Sequence, residues 1–501
     1  MTPESAKRLI VVSNRLPYVL ENHGRDAWTL KPGSGGLVSA LMPVLRDRGG
    51  VWIGWSGISD AIPGMTEIFK GASREAGYLL KPVDLSAEEV ENYYHGYSNE
   101  SVWPLFHDLQ SRCNFEPDYW RAYVKVNRKF AEAIAEESDE DDFIWIHDYQ
   151  LMDVAHHMRE SGSKADLAFF LHIPFPAPDI FMKLPERQAI LTSLLAHDLV
   201  GFQTQRDRRN FIQCVRVLLK NAQVRQEGHL HVVRAGEREI RAGSFPIGID
   251  ANAMTNRANA ADVLEQIEAI RTRFTDRQIV LGVDRLDYTK GIPERLRAFA
   301  DLLERFPEVR TRIHLFQVVV PSRVGITEYD DLKMEIEQLV GQINGRYSQL
   351  GWVPIHYFFR SLSNTELVAF YRAASIALIT PLKDGMNLVA KEFCAASLEE
   401  DSVLILSQFA GAAGQLGQAA LVVNPYDVEQ TADAIFNAYR MLPSERRYRM
   451  RRLRRNVSAQ NVFWWVDSFM RAAIDRELRD FPVLEDYIPE HYETNPGFSP
   501  G

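Results

Sequence analysis

The sequence predicts an α/β protein of two doubly wound, parallel-sheet domains, and three observations carry that expectation. The chain has 501 residues, and one hydrophobic core rarely grows beyond about 250–300 residues, so two domains are the default. Short apolar runs alternate with amphipathic stretches of helical length in both halves, the pattern of sheets covered by helices on both faces. Charged and aromatic residues gather just after those runs, at the strand ends where open α/β sheets bind ligands.

In chain order, the first half offers the runs "LIVVS" (9–13), "GVWIGWS" (50–56), "DFIWIH" (142–147), "LAFFLH" (167–172) and "DLVGFQT" (198–204). The second half offers "QIVLGV" (278–283), "IHLFQVVV" (313–320), "IALIT" (376–380), "VLILS" (403–407) and "ALVVN" (420–424). Such runs suit strands buried on both faces. Between them, "ERLRAFADLLERF" sets Leu296, Phe299, Leu302, Leu303 and Phe306 on one helical stripe, and "VLEQIEAIRTRF" does the same with Leu264, Ile267, Ile270 and Phe274. Pro and Gly in "SFPIGIDAN" (244–252) mark a boundary, giving a first domain over 1–245 and a second over 246–460. Residues 481–501, with four prolines and two glycines, read as an irregular tail.

Composition narrows the function. Hydrophobic residues make up 46% and charged residues 25%, ordinary for a globular enzyme. The formal net charge of −10 argues against nucleic acid or an acidic membrane as partner, so an anionic ligand must be met by a few placed cations. Cys113, Cys214 and Cys394 lie far apart, and no CxxC or Cys/His ligand spacing occurs. That predicts reduced core thiols in a cytoplasmic protein. "RLIVVSN" is too short for a leader peptide, and no run approaches the roughly 18 residues a membrane span needs.

The strand ends carry the chemistry. After "LIVVS" comes Arg15, then "KPGSGGLVSALMPVL", where Gly33, Gly35 and Gly36 precede a helix. Such a turn brings backbone N–H groups close to an anion; a plain glycine turn is the alternative. After "DFIWI" comes Asp148, and after "LAFFL" comes His172, held by a Pro-Phe-Pro loop. "NYYHGYSNESVWPLFH" (92–107) concentrates Tyr94, Tyr97 and Trp103, either as core aromatics or as rings that pack on sugar C–H faces.

"VDRLDYTKG" (283–291) sets Arg285 and Lys290 between a strand and a helix opening on Pro293. Two cations at such a junction fit a diphosphate; the alternative is surface pairing with Asp284 and Asp287. "VVVPSRVG" repeats the theme with Arg323. In "TPLKDGMNLVAKEFCAA" (380–396) a helix starts near Asn387, a good N-cap residue. The turn offers N–H groups to phosphate, and Asp384 can grip sugar hydroxyls. Glu392, on the helical face of Leu388, can accept from a ribose diol.

"SNRLP", "SGGLVSAL", "GWSG", "WIHDY", "FLHIPFP", "DLVGFQT", "FPIGID", "DRLDYTKG", "PSR", "INGRY", "DGMNLVAKE" and "LSQFAGAA" occur in this order. With them the chain resembles the retaining, UDP-glucose-dependent α,α-trehalose-6-phosphate synthase family, over residues 9 to about 470. The resemblance implies the GT-B fold: two Rossmann-like domains facing across a cleft, an N-terminal one for the acceptor and a C-terminal one for the nucleotide sugar. A last helix, about 461–478, would cross back to the first. It also implies glucosyl transfer from UDP-glucose to glucose 6-phosphate, with no metal or other cofactor, in a homo-oligomer (dimer or tetramer).

Carried over by residue, the resemblance gives the donor diphosphate to Arg285 and Lys290, helped by Gly36 and the backbone near Asn387 and Leu388. Glu392 takes the ribose, and Asp384 and His172 the donor glucose. Arg15, Tyr94, Trp103 and Arg323 take the acceptor phosphate, while Trp55 and Asp148 line the acceptor sugar. Arg285, Lys290, His172 and Asp148 form the catalytic set, with His172 orienting the glucosyl group and not acting as a base. Two departures fall on the acceptor side: Gln150 stands where many members have His, and "FHDLQSRCNF" (106–115) differs from the "FHY" expected there. They keep one rival open, a sister transferase using another phosphorylated acceptor such as glycerol 3-phosphate. No phosphatase-like DxDxT/V segment occurs.

Overall fold

The structure is a computed structural model describing residues 7–22, 28–33, 36–59, 64–322 and 327–474. Two compact units emerge. One holds the chain up to Met254 together with Lys383–Lys391 and the stretch from Val457; the other holds Thr255–Leu382 and Glu392–Asn456.

In the first unit the strands are β1 (Leu9–Arg15), β2 (Tyr18–Asn22), β3 (Trp28–Pro32), β4 (Val51–Trp55), β5 (Leu79–Val83), β6 (Phe143–His147), β7 (Asp166–Leu171), β8 (Leu199–Phe202), β9 (Gln223–Glu227), β10 (Leu230–Ala235) and β11 (Arg238–Ser244). Nine of them form one sheet in the order β5-β4-β1-β6-β7-β8-β11-β10-β9. Neighbours from β5 to β11 are parallel. The β9–β11 meander is antiparallel, as its short connections require. β4 and β6 are buried along their whole length, which is why their apolar runs are legible in the sequence.

The sequence reading did not extend to β2 and β3, which pair separately, nor to β5 and β9–β11. Edge position explains β5 and β9, the two ends of the sheet: β5 carries Pro82 opposite Gly54, tolerated because an edge strand needs no further ladder bond. β9 is largely exposed, so it lacks an apolar run. A further surprise is Val90–Val102, thirteen residues of π-helix, a geometry rare beyond single turns.

The helix Val462–Ile474 packs on this sheet. Phe469 stacks on Trp145 at 4.3 Å, and Trp465 lies 5.0 Å from Trp145 and 5.1 Å from Phe170. Gly201 makes room for it: a Cβ there would meet Phe469 at 2.6 Å and Phe170 at 2.7 Å.

The second unit contains β12 (Gln278–Arg285), β13 (Ile313–Val320), β14 (Ile355–Phe359), β15 (Ile376–Ile379), β16 (Val403–Ser407) and β17 (Leu421–Val423). All pair parallel in the order β14-β13-β12-β15-β16-β17. By chain rank this is the 3-2-1-4-5-6 order of a Rossmann sheet. On the helix Ile292–Arg305, Leu296, Phe299, Leu302 and Leu303 are fully buried, as the stripe predicts. The stripe over Ala261–Arg273 needs correction: Val263 and Ile267 are buried, whereas Leu264 is 44% exposed. A single apolar residue one position off the true face satisfies a periodicity count without reaching the core.

Candidate active site

Doubly wound sheets bind ligands at the carboxyl ends of strands where the order reverses. In the first unit that point lies between β1 and β6, and in the second between β12 and β15. Arg15 ends β1, Trp55 ends β4, Asp148 follows β6 and His172 follows β7. Arg285 ends β12, and Thr380 follows β15.

In the first unit, the structure brings Arg15, Trp55 and Tyr94 together. The Arg15 guanidinium lies 4.7 Å from the Trp55 ring centre and 5.5 Å from that of Tyr94. The two rings are 6.0 Å apart, and the Trp55 indole N–H is anchored on the Ile58 carbonyl at 2.9 Å. Arg15 is exposed while Trp55 is buried, so aromatic faces hold a cation at a strand end. Trp103 is set back. It is 6% exposed, packed 4.2 Å from His107 and 5.7 Å from Tyr149. It connects to Tyr94 through Tyr149, whose hydroxyl donates to Asn99 Oδ1, and through Asn99 Nδ2, which donates to the Tyr94 carbonyl. Tyr97 is buried, the plainer of the two readings of that aromatic cluster.

Asp148 adopts φ 76°, ψ 167°, outside the ordinary range for a non-glycine residue; such strain concentrates at functional sites. The twist lets its Oδ1 accept the His172 backbone N–H at 3.1 Å. The His172 ring lies in a chain of hydrogen bonds that fixes its proton. Gln203 Oε1 accepts the Ile247 N–H at 3.0 Å, which turns Gln203 Nε2 toward His172 Nδ1 at 3.4 Å. An amide nitrogen only donates, so Nδ1 must be the acceptor and the proton sits on Nε2. From there it is donated to His147 Nδ1 at 3.2 Å. His147 therefore carries its proton on Nε2, a buried atom with no hydrogen-bond partner among the described residues. Lost hydration pushes His172 down to about 3, and burial beside His172 holds His147 well below the usual range. Both rings are neutral at physiological pH, and both His172 nitrogens are engaged by the protein.

The turn at 383–391 belongs to the same unit. A Cβ on Gly385 would fall 2.0 Å from the His172 carbonyl, so only glycine brings the Asp384 turn this close to His172. Asn387, at φ 76°, caps the helix Leu388–Ala396 through the Ala390 N–H at 3.2 Å, and its Nδ2 donates to Asp384 Oδ2 at 3.2 Å. Lys391 is buried, donates to the Ile247 carbonyl at 2.5 Å, and is pushed down to about 7 by burial. Asp108, in the departing "FHDLQ" segment, forms an ion pair with Lys383. Gln150 is buried, and its carbonyl accepts from Asn127.

In the second unit the pairing alternative weakens for Arg285. Asp284 is taken by Arg295, a fully buried guanidinium that also bonds Thr380 and Gln317. Asp287 Oδ1 accepts from the Thr289 N–H and hydroxyl, both at 2.9 Å. Arg285 is exposed and makes no hydrogen bond or ion pair among the described residues; Lys290 follows on a short 3₁₀ turn and is buried. Glu392 accepts from the Tyr371 hydroxyl at 2.8 Å, and burial raises its carboxyl. Gly36 opens the helix Gly36–Arg48, while Gly35 and Arg323 lie outside the described residues.

Sequence reasoning passed over Gln203 and His147. Both sit in quoted runs, "DLVGFQT" and "DFIWIH", where they read as strand polars; only the hydrogen-bond chain gives them a role. Among the described residues no group of three His, Cys, Asp or Glu side chains could hold a metal ion, and no helix is long and apolar enough to cross a membrane.

Two Rossmann-like units, each with placed cations and sugar-sized polar groups at its switch point, define a transferase of the GT-B class. Residues 7–475 match the Glycosyltransferase family 20 profile, and the chain belongs to that family. It is 42% identical to a trehalose-6-phosphate synthase of Mycolicibacterium smegmatis, covering 98% of each chain. A crystal structure of an α,α-trehalose-phosphate synthase (UDP-forming) from Burkholderia xenovorans in complex with glucose-6-phosphate superposes with a TM-score of 0.83 at 34% identity, covering 93% of this chain and 99% of that one. The same figures hold for an E. coli structure described as bound with UDP-2-fluoro glucose.

Proposed function

We propose that the chain transfers a glucosyl group from UDP-glucose to glucose 6-phosphate, giving α,α-trehalose 6-phosphate and UDP with the anomeric configuration retained. The observation that carries this reading is a matched pair of cation sites. Arg15, framed by Trp55 and Tyr94 at one switch point, suits a sugar monophosphate. Arg285, uncommitted at the other, suits a diphosphate together with Lys290. The ligands named for the relatives agree with it.

The first unit takes the acceptor, with Arg15, Tyr94, Trp103 and Arg323 on its phosphate and Trp55 and Asp148 along its sugar. The second takes the nucleotide, with Arg285 and Lys290 on the diphosphate and Glu392 on the ribose. Asp384 holds the donor glucose, and Gly36 and the backbone at Asn387 and Leu388 help with its phosphates. The acceptor hydroxyl attacks from the face that UDP leaves. The anomeric C–O bond breaks with its electron pair on the departing phosphate oxygen, which takes the hydroxyl proton. Arg285 and Lys290 stabilise that growing charge, in general the largest catalytic contribution available to such a site. His172, neutral and with both nitrogens engaged, orients the sugar and moves no proton. No metal takes part, and the protein works as a cytoplasmic homo-oligomer.

The test is UDP release from UDP-glucose with EDTA present, offering glucose 6-phosphate and glycerol 3-phosphate separately. Turnover with glucose 6-phosphate alone is expected. Preference for glycerol 3-phosphate would overturn the acceptor assignment, and loss of activity in EDTA the metal-free one.

A further inference from the structure

We propose that the helix Pro443–Ala459 carries a second anion site whose ligand is a short linear oligophosphate. Seven of its seventeen residues are arginine and none is lysine. Arginine presents a fork that matches phosphate oxygens in pairs, so the bias points to oxyanion recognition over diffuse charge.

Most of these arginines have structural work. Arg446 is buried and bonds the Met441, Ala438 and Tyr439 carbonyls. Arg449 pairs with Glu445, Arg451 and Arg454 pair with Glu400, and Arg452 donates to Gln418. Arg447 and Arg455 are exposed and make no hydrogen bond or ion pair among the described residues. They flank Arg451 at helical spacing of four, and like charges so spaced cost helix stability. Glu400 offsets that cost at Arg451 alone, leaving Arg447 and Arg455 without a counter-charge among the described residues, in a chain whose net charge is −10. Ser444, Tyr448 and Arg452 form the adjoining ridge, and the six side chains line an open cavity of about 550 Å³.

Geometry sets the ligand. At 1.5 Å rise per residue, Arg447 to Arg455 spans about 12 Å. Orthophosphate reaches one end of that row; a chain of phosphates reaches along it. The acidic remainder of the protein disfavours long polyanions, which would extend beyond the patch.

The site is separate from the switch point of its own unit. Arg446 bonds Gln278 Oε1 at 3.2 Å, tying the helix to the start of β12. Arg285 ends the same strand seven residues later, about 23 Å away at 3.3 Å per residue.

Calorimetric titration with sodium tripolyphosphate tests the proposal on the full chain. Arg447→Ala/Arg455→Ala is expected to weaken binding about tenfold, the equivalent of about 1.4 kcal/mol, whereas Arg285→Ala leaves this binding event in place. That contrast keeps the outcome independent of the transferase reading. Orthophosphate binding as tightly, loss confined to Arg285→Ala, or no binding at millimolar ligand would each overturn it. A single-stranded oligodeoxynucleotide binding more tightly than tripolyphosphate would replace it with a nucleic-acid surface.

Discussion

Replacing Gln203 with Glu inverts the proton chain at His172 without changing side-chain size. In the wild type the amide nitrogen faces His172 Nδ1 at 3.4 Å while Oε1 remains on the Ile247 N–H. In Gln203→Glu an anionic oxygen replaces that nitrogen. With an effective dielectric constant near 20, unit charges about 3.4 Å apart attract by about 5 kcal/mol. At 1.36 kcal/mol per unit, that lifts the His172 pKa by about 3 to 4 units. Starting from about 3, the imidazole would titrate near neutrality, with a proton on Nδ1. Long-range ¹H–¹⁵N spectra of the ligand-free protein read this directly. The wild-type ring should stay neutral and Nε2-protonated from pH 8 to 5, while the variant gains the Nδ1 proton. If His172 orients the sugar, kcat should fall by about 10- to 100-fold, the scale of a misplaced reacting group. A wild-type His172 that titrates near 6.5, or a variant keeping the Nε2–H pattern, would refute the tautomer argument whatever the activity shows.

Arg285→Ala should lower kcat by about 10²- to 10³-fold, the scale of losing one transition-state charge contact, whereas Arg360→Ala, which breaks an exposed pair with Glu366 and an exposed bond to the Ser361 carbonyl, should leave steady-state rates within twofold by the usual weakness of such contacts. Gly201→Ala would press a Cβ onto Phe469 and Phe170 and should cost about 1–3 kcal/mol in urea unfolding; an unchanged midpoint would show that the helix Val462–Ile474 can shift aside. His197 is fully buried and pushed down to about 3 by burial, so it stays neutral in the folded chain and takes a proton on unfolding below about 6.5. Its contribution is therefore present above that pH and lost as pH falls toward 3, by about 1.4 kcal/mol per unit relative to His197→Gln. Parallel stability–pH curves for the two proteins would contradict that burial.

The apolar runs determined most of both sheets, because a strand buried on two faces has to be apolar along its length. They also pointed to the candidate site residues, since ligands gather where such strands end: Arg15, Asp148, His172 and Arg285 do lie at or just after strand ends. Edge strands such as β5 and β9 escaped notice because one of their sides needs no hydrophobic partner, and Leu264 misled because periodicity gives spacing but not the angle of the true face. What only the tertiary structure decided is pairing. Asp284 lies beside Arg285 in the chain yet bonds Arg295, and so Arg285 stays uncommitted. Gln203, thirty-one residues from His172, selects which imidazole nitrogen holds the proton. Sequence can name the residue types that chemistry needs; which partner each one meets depends on distances set by the packing of strands far apart in the chain.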